Sequence, residues 1–140
     1  MADLVIYINE KITLDNNDRG VITTQTIPGI SYVDNRIFDL PSGSITTLFS
    51  FSNTTGPGVF ITSSVKYARI TNKSTVAPIK LIVSSSTEAM SYLIATGSSY
   101  MLSTSKTTSS LTNLTFSDIA SIKAEPSGSN AVIEYFIATT

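Results

Sequence analysis

Turn-forming residues cut this chain into ten short apolar runs, none longer than eight residues, and that punctuation decides the fold class. The runs are Leu4 to Ile8, Gly20 to Ile27, Arg36 to Leu40, Ile45 to Phe51, Val59 to Thr62, Val65 to Thr71, Pro78 to Val83, Met90 to Ala95, Ile119 to Ala124 and Ala131 to Ala138. Between them stand Asp15-Asn16-Asn17-Asp18-Arg19-Gly20, Pro28-Gly29, Pro41-Ser42-Gly43, Gly56-Pro57-Gly58 and Pro126-Ser127-Gly128. Their residues set or tolerate the backbone angles of tight reversals. Val, Ile and Thr supply 45 of the 140 residues, and branching at Cβ restricts χ1 in a way that suits the pleated strand. The expected fold is all-β, a single β-sandwich domain over residues 1–140 with two stacked sheets. Ser84 to Met90 offers one helical turn at most. Ser103 to Ser110 has no apolar period and reads as an exposed loop, and Asp15 to Gly20 reads as a hairpin loop.

Alternation within the runs predicts which side chains are buried. Ile45, Phe49 and Phe51 share one side of a pleat, while Thr46 and Ser50 share the other with Leu48. Ile79, Leu81 and Val83 alternate with Lys80, and the last run sets Ile133, Tyr135 and Ile137 against Val132, Glu134 and Phe136. The expected core takes in Ile6, Ile45, Phe49, Phe51, Ile70, Leu81, Val83 and Phe136. Most of the aromatic residues, among them Tyr7, Tyr32, Phe38, Phe60 and Phe116, fall inside strand patterns and read as core too.

The surface has an unusual composition. Charged residues make up 14% of the chain, against about 25% in an average soluble domain, whereas Ser and Thr number 42. Hydroxyls rather than ions must meet solvent or a partner. With a net charge of -1 the chain lacks the basic stripe that a phosphate backbone demands, so no direct nucleic-acid contact is expected. It has no His and no Cys, which removes disulfides, thiolate nucleophiles, Ser-His triads and zinc or haem ligation by those side chains. The opening MADLVIYINEK carries an acidic residue and a short apolar run, unlike a signal peptide, and no stretch approaches a membrane span. The expectation is a non-enzymatic protein with no catalytic residue, no cofactor, no metal and no membrane contact.

Four groups of residues come nearest to a functional motif. Asp15, Asn17 and Gly20 mimic the opening of a calcium loop, but Arg19 takes a ligand position and Thr26 stands where the closing bidentate Glu belongs. A turn is their expected role. Asp15 with Asp18, and Asp34 with Asp39, are neighbouring carboxylates, yet glycoside hydrolysis needs two that converge on a cleft. Glu134 shares a pleat face with Val132 and Phe136, as an edge or interface residue would. Asn53, Asn72 and Asn113 each open an Asn-X-Ser/Thr triplet, and in a chain so rich in Ser and Thr they read as ordinary loop residues.

The second half also carries a likeness. Its segments are Val65-Lys66-Tyr67-Ala68-Arg69-Ile70-Thr71-Asn72, Ala77-Pro78-Ile79-Lys80-Leu81-Ile82-Val83, Phe116-Ser117-Asp118-Ile119-Ala120-Ser121-Ile122-Lys123-Ala124 and Ala131-Val132-Ile133-Glu134-Tyr135-Phe136-Ile137-Ala138. Together they resemble small virion structural proteins of tailed bacteriophages, of the auxiliary capsid or head-decoration type. The resemblance implies a jelly-roll sandwich of some eight to ten antiparallel strands that coats or braces the head or sits in the tail. It brings no catalytic residues. The partners it implies are the major capsid protein and other virion proteins, with multiple copies per particle, and the location it implies is the virion, assembled in the bacterial cytoplasm. Low charge suits such repeated lateral contacts, because like-charge repulsion does not accumulate. The alternative is a tail, fibre or adhesin module for a host-surface glycan, which would turn Tyr or Phe outward in a cleft.

Overall fold

The computed structural model describes residues 1–54, 56–104, 106–108 and 116–140, and strands dominate them. In chain order these are β1 (Ala2–Glu10), β2 (Thr13–Leu14), β3 (Asn17–Asp18), β4 (Val21–Ile30), β5 (Tyr32–Leu40), β6 (Thr46–Ser52) and β7 (Val59–Ile61). There follow β8 (Val65–Asn72), β9 (Ile79–Ser85), β10 (Ala89–Ile94), β11 (Ser99–Leu102), β12 (Lys106–Thr108), β13 (Phe116–Pro126) and β14 (Ala131–Thr139). Thr62–Ser64 adds one 3-10 turn.

Eight strands build the sandwich. One sheet runs β10-β9-β13-β6 and the other β11-β8-β14-β5, with every neighbouring pair antiparallel. Successive strands cross from sheet to sheet, except at the β9–β10 hairpin. Two four-stranded sheets interleaved in this order form a jelly roll. The short β7 extends the first sheet by pairing parallel to β6, and β12 pairs with β13. The core lies between the sheets, where Ile70, Ile79, Leu81, Ile122, Ile133, Tyr135 and Ile137 are fully buried. At its centre Phe49 meets three rings, those of Phe51, Phe60 and Tyr135, edge to face.

Phe49, Phe51, Ile70, Leu81 and Val83 are buried as their alternation predicts, but Ile45 is 57% exposed. The cause is a β-bulge. Ile122 partners Phe49, yet the next residue, Lys123, partners Thr47, so Leu48 is an extra residue in β6. A bulge sets two residues against one and reverses the pleat beyond it. Leu48 and Phe49 are therefore both buried although adjacent, and the parity that carries Phe49 and Phe51 inward carries Ile45 outward. Ile6 and Phe136 are half-buried and belong to a satellite cluster with Ile30, Tyr67 and Ala138, outside the main core. Phe136 alternates with the core-facing Tyr135 and Ile137, so it lies on the outer face of its sheet.

Three segments differ from their sequence-based expectation. Ser84 to Met90 forms a tight hairpin instead of a helical turn: the Ser85 N–H donates to the Glu88 carbonyl at 2.7 Å, and Ser85 Oγ accepts from the Glu88 N–H at 3.0 Å. Within Ser103 to Ser110, Lys106–Thr108 is a strand, and Thr107 is buried. Residues 105, 109 and 110 lie outside the described residues. Pro28-Gly29 does not end a run but sits inside β4, where the pairs Ala2 with Ile30 and Leu4 with Ile27 leave an irregular step and Gly29 adopts φ 77°. Glycine reaches that angle without strain.

Residues 2–30 form a two-stranded arm whose base packs on the sandwich and whose remainder projects from it. β1 pairs antiparallel with β4, and β2 with β3 continues the ladder to a tip turned by Asp15 and Asn16 at φ 51° and 62°. Two consecutive positive φ angles make the reversal that matches strand twist, so the expected hairpin loop is present as a two-residue turn. Gly20 is needed opposite β1, because a Cβ there would collide with the Glu10 carbonyl. β4 passes into β5 through the single residue Ser31, whose N–H donates to Thr139 O at 3.0 Å.

Candidate functional site

Three surfaces could engage a partner: a groove at one end of the sandwich, the outer face of the β11-β8-β14-β5 sheet, and the arm.

The groove, about 450 Å³, lies between the start of β5 and the Gly56–Ile61 segment that leads into and forms β7. Alternation on β5 sends Tyr32, Asp34 and Arg36 to the same side as Tyr135, the cross-strand partner of Arg36 on β14. Asp34, 12% exposed, accepts from the Tyr135 hydroxyl at 2.8 Å and pairs with Arg36 Nε at 3.0 Å. Burial, and then the bond to Asp34, pushes the Tyr135 phenol well above the usual tyrosine range, so it stays a donor at neutral pH. Asp34 also holds the charge on Arg36 more firmly. The rim carries Tyr32, 53% exposed, beside the half-exposed Arg36. Among the lining residues Asp34 is the one acidic side chain, and it is already engaged twice. The arrangement can present a ring and a guanidinium to a polar ligand, whereas acid–base hydrolysis of a glycoside would need a second carboxylate.

On the outer face, Glu134 meets Arg69 at 3.0 Å and Lys73 at 3.9 Å, between Val132 and Phe136 on β14. Arg69 Nε is buried with no hydrogen-bond partner within the described residues. The base of the arm crosses this face, where Leu4, Ile6 and Ile27 pack on Tyr67, Phe136 and Ala138. Farther along the same face Val33, Ile37 and Met101 are 45%, 64% and 48% exposed, as the cross-strand partners of Ala138, Glu134 and Arg69.

Beyond its base, every arm residue from Tyr7 to Thr26 is exposed. Apolar side chains are nevertheless abundant there. Tyr7, Ile12, Leu14, Val21 and Ile22 are between 50% and 73% exposed, and Ile8 is 37% exposed. The alternation that made Tyr7 and Tyr32 read as core is real, but among the described residues no second layer covers either one.

The other sequence motifs disperse. Asp15 and Asp18 sit at the arm tip, where Asp18 Oδ1 accepts from the Gly20 N–H at 3.0 Å as a turn residue does. Asp34 and Asp39 lie on opposite faces of β5, since they stand an odd number of positions apart in one strand. Among the described residues no three Asp or Glu side chains gather where a metal ion could be held. Asn53 is exposed after β6, and Asn113 falls outside the described residues. Asn72 is not a loop residue: it is fully buried at the end of β8. Its Nδ2 donates to the carbonyls of Ala77 and Ile94 at 2.9 and 3.1 Å, and its Oδ1 accepts from the Ser74 N–H at 2.9 Å. A side chain that closes three strand ends in this way is structural, and the triplet spacing concealed it.

The fold defines the class, a jelly-roll sandwich with a projecting two-stranded arm. Compared with known proteins, the chain matches no family model, no curated protein and no solved structure.

Proposed function

We propose that this chain is a structural protein of a tailed-bacteriophage virion, an auxiliary capsid protein that binds the major capsid protein and stabilises the head. The observation that carries the reading is the arm, twenty consecutive exposed residues, Tyr7 to Thr26, with apolar side chains on both faces of the ladder. An isolated two-stranded hairpin is marginal in water, so an arm of this composition is built to be covered in an assembly. The likeness of β8, β9, β13 and β14 to small virion proteins supplies the particle. The fold agrees by analogy, since jelly rolls serve viral shells as well as lectins. This role needs no catalytic step, cofactor or metal.

The test is sedimentation with purified heads, followed by a wash at about 1 M salt, where the Debye length falls to about 3 Å. A charge-poor, hydroxyl-rich contact should survive, and repetition on a symmetric shell reinforces each weak contact. Absence from heads at low salt would reject the virion role, and release of most copies by salt would reject the uncharged interface.

The groove favours a second reading, a tail or adhesin module for a host-surface glycan. An exposed Tyr32 beside Arg36 offers a ring face and hydrogen-bond donors to sugar hydroxyls. Glycan binding by the isolated chain, lost in Tyr32→Ala, would establish that reading over the first.

A further inference from the structure

Chemistry as well as shape marks the groove at the start of β5. Its volume, about 450 Å³, falls within the ~300–1,000 Å³ of small-molecule sites. Such sites combine apolar walls with a few fixed polar groups, and the groove has both. Pro57, Val59 and Ile61 line one side, while Tyr32 and the Asp34–Arg36 pair line the other.

The pair is held in place from behind. Asp34, 12% exposed, accepts the Tyr135 hydroxyl on Oδ2 at 2.8 Å and Arg36 Nε on Oδ1 at 3.2 Å. Tyr135 is locked in the core in its turn, its ring centroid 5.1 Å from Phe49 and 5.7 Å from Phe38. A carboxylate offers about four acceptor sites, so Asp34 keeps capacity beyond these bonds. Arg36 gives only Nε to Asp34, and its two terminal amino groups donate to nothing among the described residues. An acceptor and a donor therefore stand side by side on a rigid support, which is what a preorganised binding site requires.

We propose that this groove binds a neutral sugar ring, two adjacent hydroxyls of the ring bridging Asp34 and Arg36 and its C–H face lying against Tyr32. The inference rests on the glycan reading of the groove, not on where the chain is located, and it names the class of sugar. Charge is the first argument. An arginine alone invites an acidic sugar, but the charge of Arg36 is already balanced by Asp34, and these two are the charged side chains among the described lining residues. A ligand carboxylate would meet Asp34 at like charge, which works against an acidic partner. A hydroxyl meets no such penalty, because it both donates and accepts. Two neighbouring hydroxyls match an acceptor set beside a donor. The rim is the second argument. Tyr32, 53% exposed, presents an apolar ring with a polar tip, and a sugar likewise has a C–H face and a hydroxyl edge.

The experiment is an amide NMR titration of the full chain, with glucose, galactose and mannose as neutral probes and glucuronate as the acidic one. For a ligand of about a dozen heavy atoms the dissociation constant should be on the order of millimolar, so each probe is taken to about 50 mM. At least one neutral sugar should shift the amides of Tyr32, Arg36 and Gly58 to saturation, and glucuronate should not. Tyr32→Ala and Arg36→Ala should each abolish that saturation. Tyr32→Ala leaves the buried pair intact, so it decides the case if Arg36→Ala loosens the fold. Asp34→Asn retains an acceptor for Tyr135 and should turn selectivity toward glucuronate, an effect that loosening alone would not produce. Wild type bound by glucuronate as tightly as by the neutral sugars would overturn the inference and leave the glycan reading standing. Shifts that survive both alanine variants would place the sugar elsewhere and overturn it too. No shift with any probe would overturn the inference and the glycan reading together.

Discussion

Replacing Phe49 with Ala removes the ring on which the core is centred. Phe49 has no exposed surface, and its ring centroid lies 5.4 Å from Phe51, 6.0 Å from Phe60 and 5.1 Å from Tyr135. Truncating a buried Phe costs about 3 to 5 kcal/mol through lost transfer energy and the cavity left behind. Each edge-to-face pair contributes roughly 0.5 to 1.5 kcal/mol beyond area, which places this site toward the upper end. At about 3 to 4 °C per kcal/mol for a chain of this size, the melting temperature should drop by about 10 to 20 °C. Urea titration followed by tyrosine fluorescence measures the cost, and the bulge supplies controls on the same strand. Leu48→Ala should cost about 2 to 5 kcal/mol, whereas Ile45→Ala, on an exposed position, should stay within about 0.5 kcal/mol. A loss below about 1 kcal/mol at Phe49 would refute its place in the core. Equal losses at Ile45 and Leu48 would refute the reversal of the pleat between them.

Three further outcomes are expected. Asn72→Ala strips partners from Ala77 O, Ile94 O and the Ser74 N–H, and should destabilise by roughly 2 to 4 kcal/mol in denaturant melts; a change under about 0.5 kcal/mol would show the network to be dispensable. Stability should fall in alkali: Tyr100 is pushed up to about 12, by burial and then by Tyr92, and burial also raises Tyr135. An unfolded tyrosine ionises near about 10, so stability is whole below that pH and drains away as the folded phenols are titrated, a slope that urea midpoints against pH would reveal and Tyr135→Phe should flatten. Gly20→Ala should abolish amide protection across Glu10 and Val21, whose pairing it forces apart, while leaving the main melting transition in place.

The sandwich was largely legible because its code is local. Each expected run overlaps an observed strand, and Leu81, Val83 and Ile70 are buried where alternation puts them. The failures have physical causes. The Leu48 bulge inverts a pleat without changing any residue type, so Ile45 carries the signature of a core position on the wrong side. β11 begins with Ser99 and holds only Tyr100 and Leu102 on its inner side, too few for a period to emerge from a Ser-rich neighbourhood. Asn72 reads as a loop residue because side-chain amides usually face water, and its burial depends on carbonyls five and twenty-two residues away.

The candidate site was less legible, and the arm shows why. Val21-Ile22-Thr23-Thr24-Gln25-Thr26-Ile27 has the composition of a sandwich strand, and its partner Leu4-Val5-Ile6-Tyr7-Ile8 is more apolar still. A period of two states that a strand has two faces, but not whether the surface that buries them belongs to the same molecule. Among the described residues of one copy, only the base of the ladder, at Leu4, Ile6 and Ile27, finds that surface. The remainder retains apolar side chains that a monomer would keep in water, where they promote aggregation and contribute nothing to the fold. Their persistence follows if burial comes from a neighbour, and the charge-poor composition follows from the same requirement. If that neighbour is met through hydroxyls and apolar side chains, the contact loses little when salt screens ions.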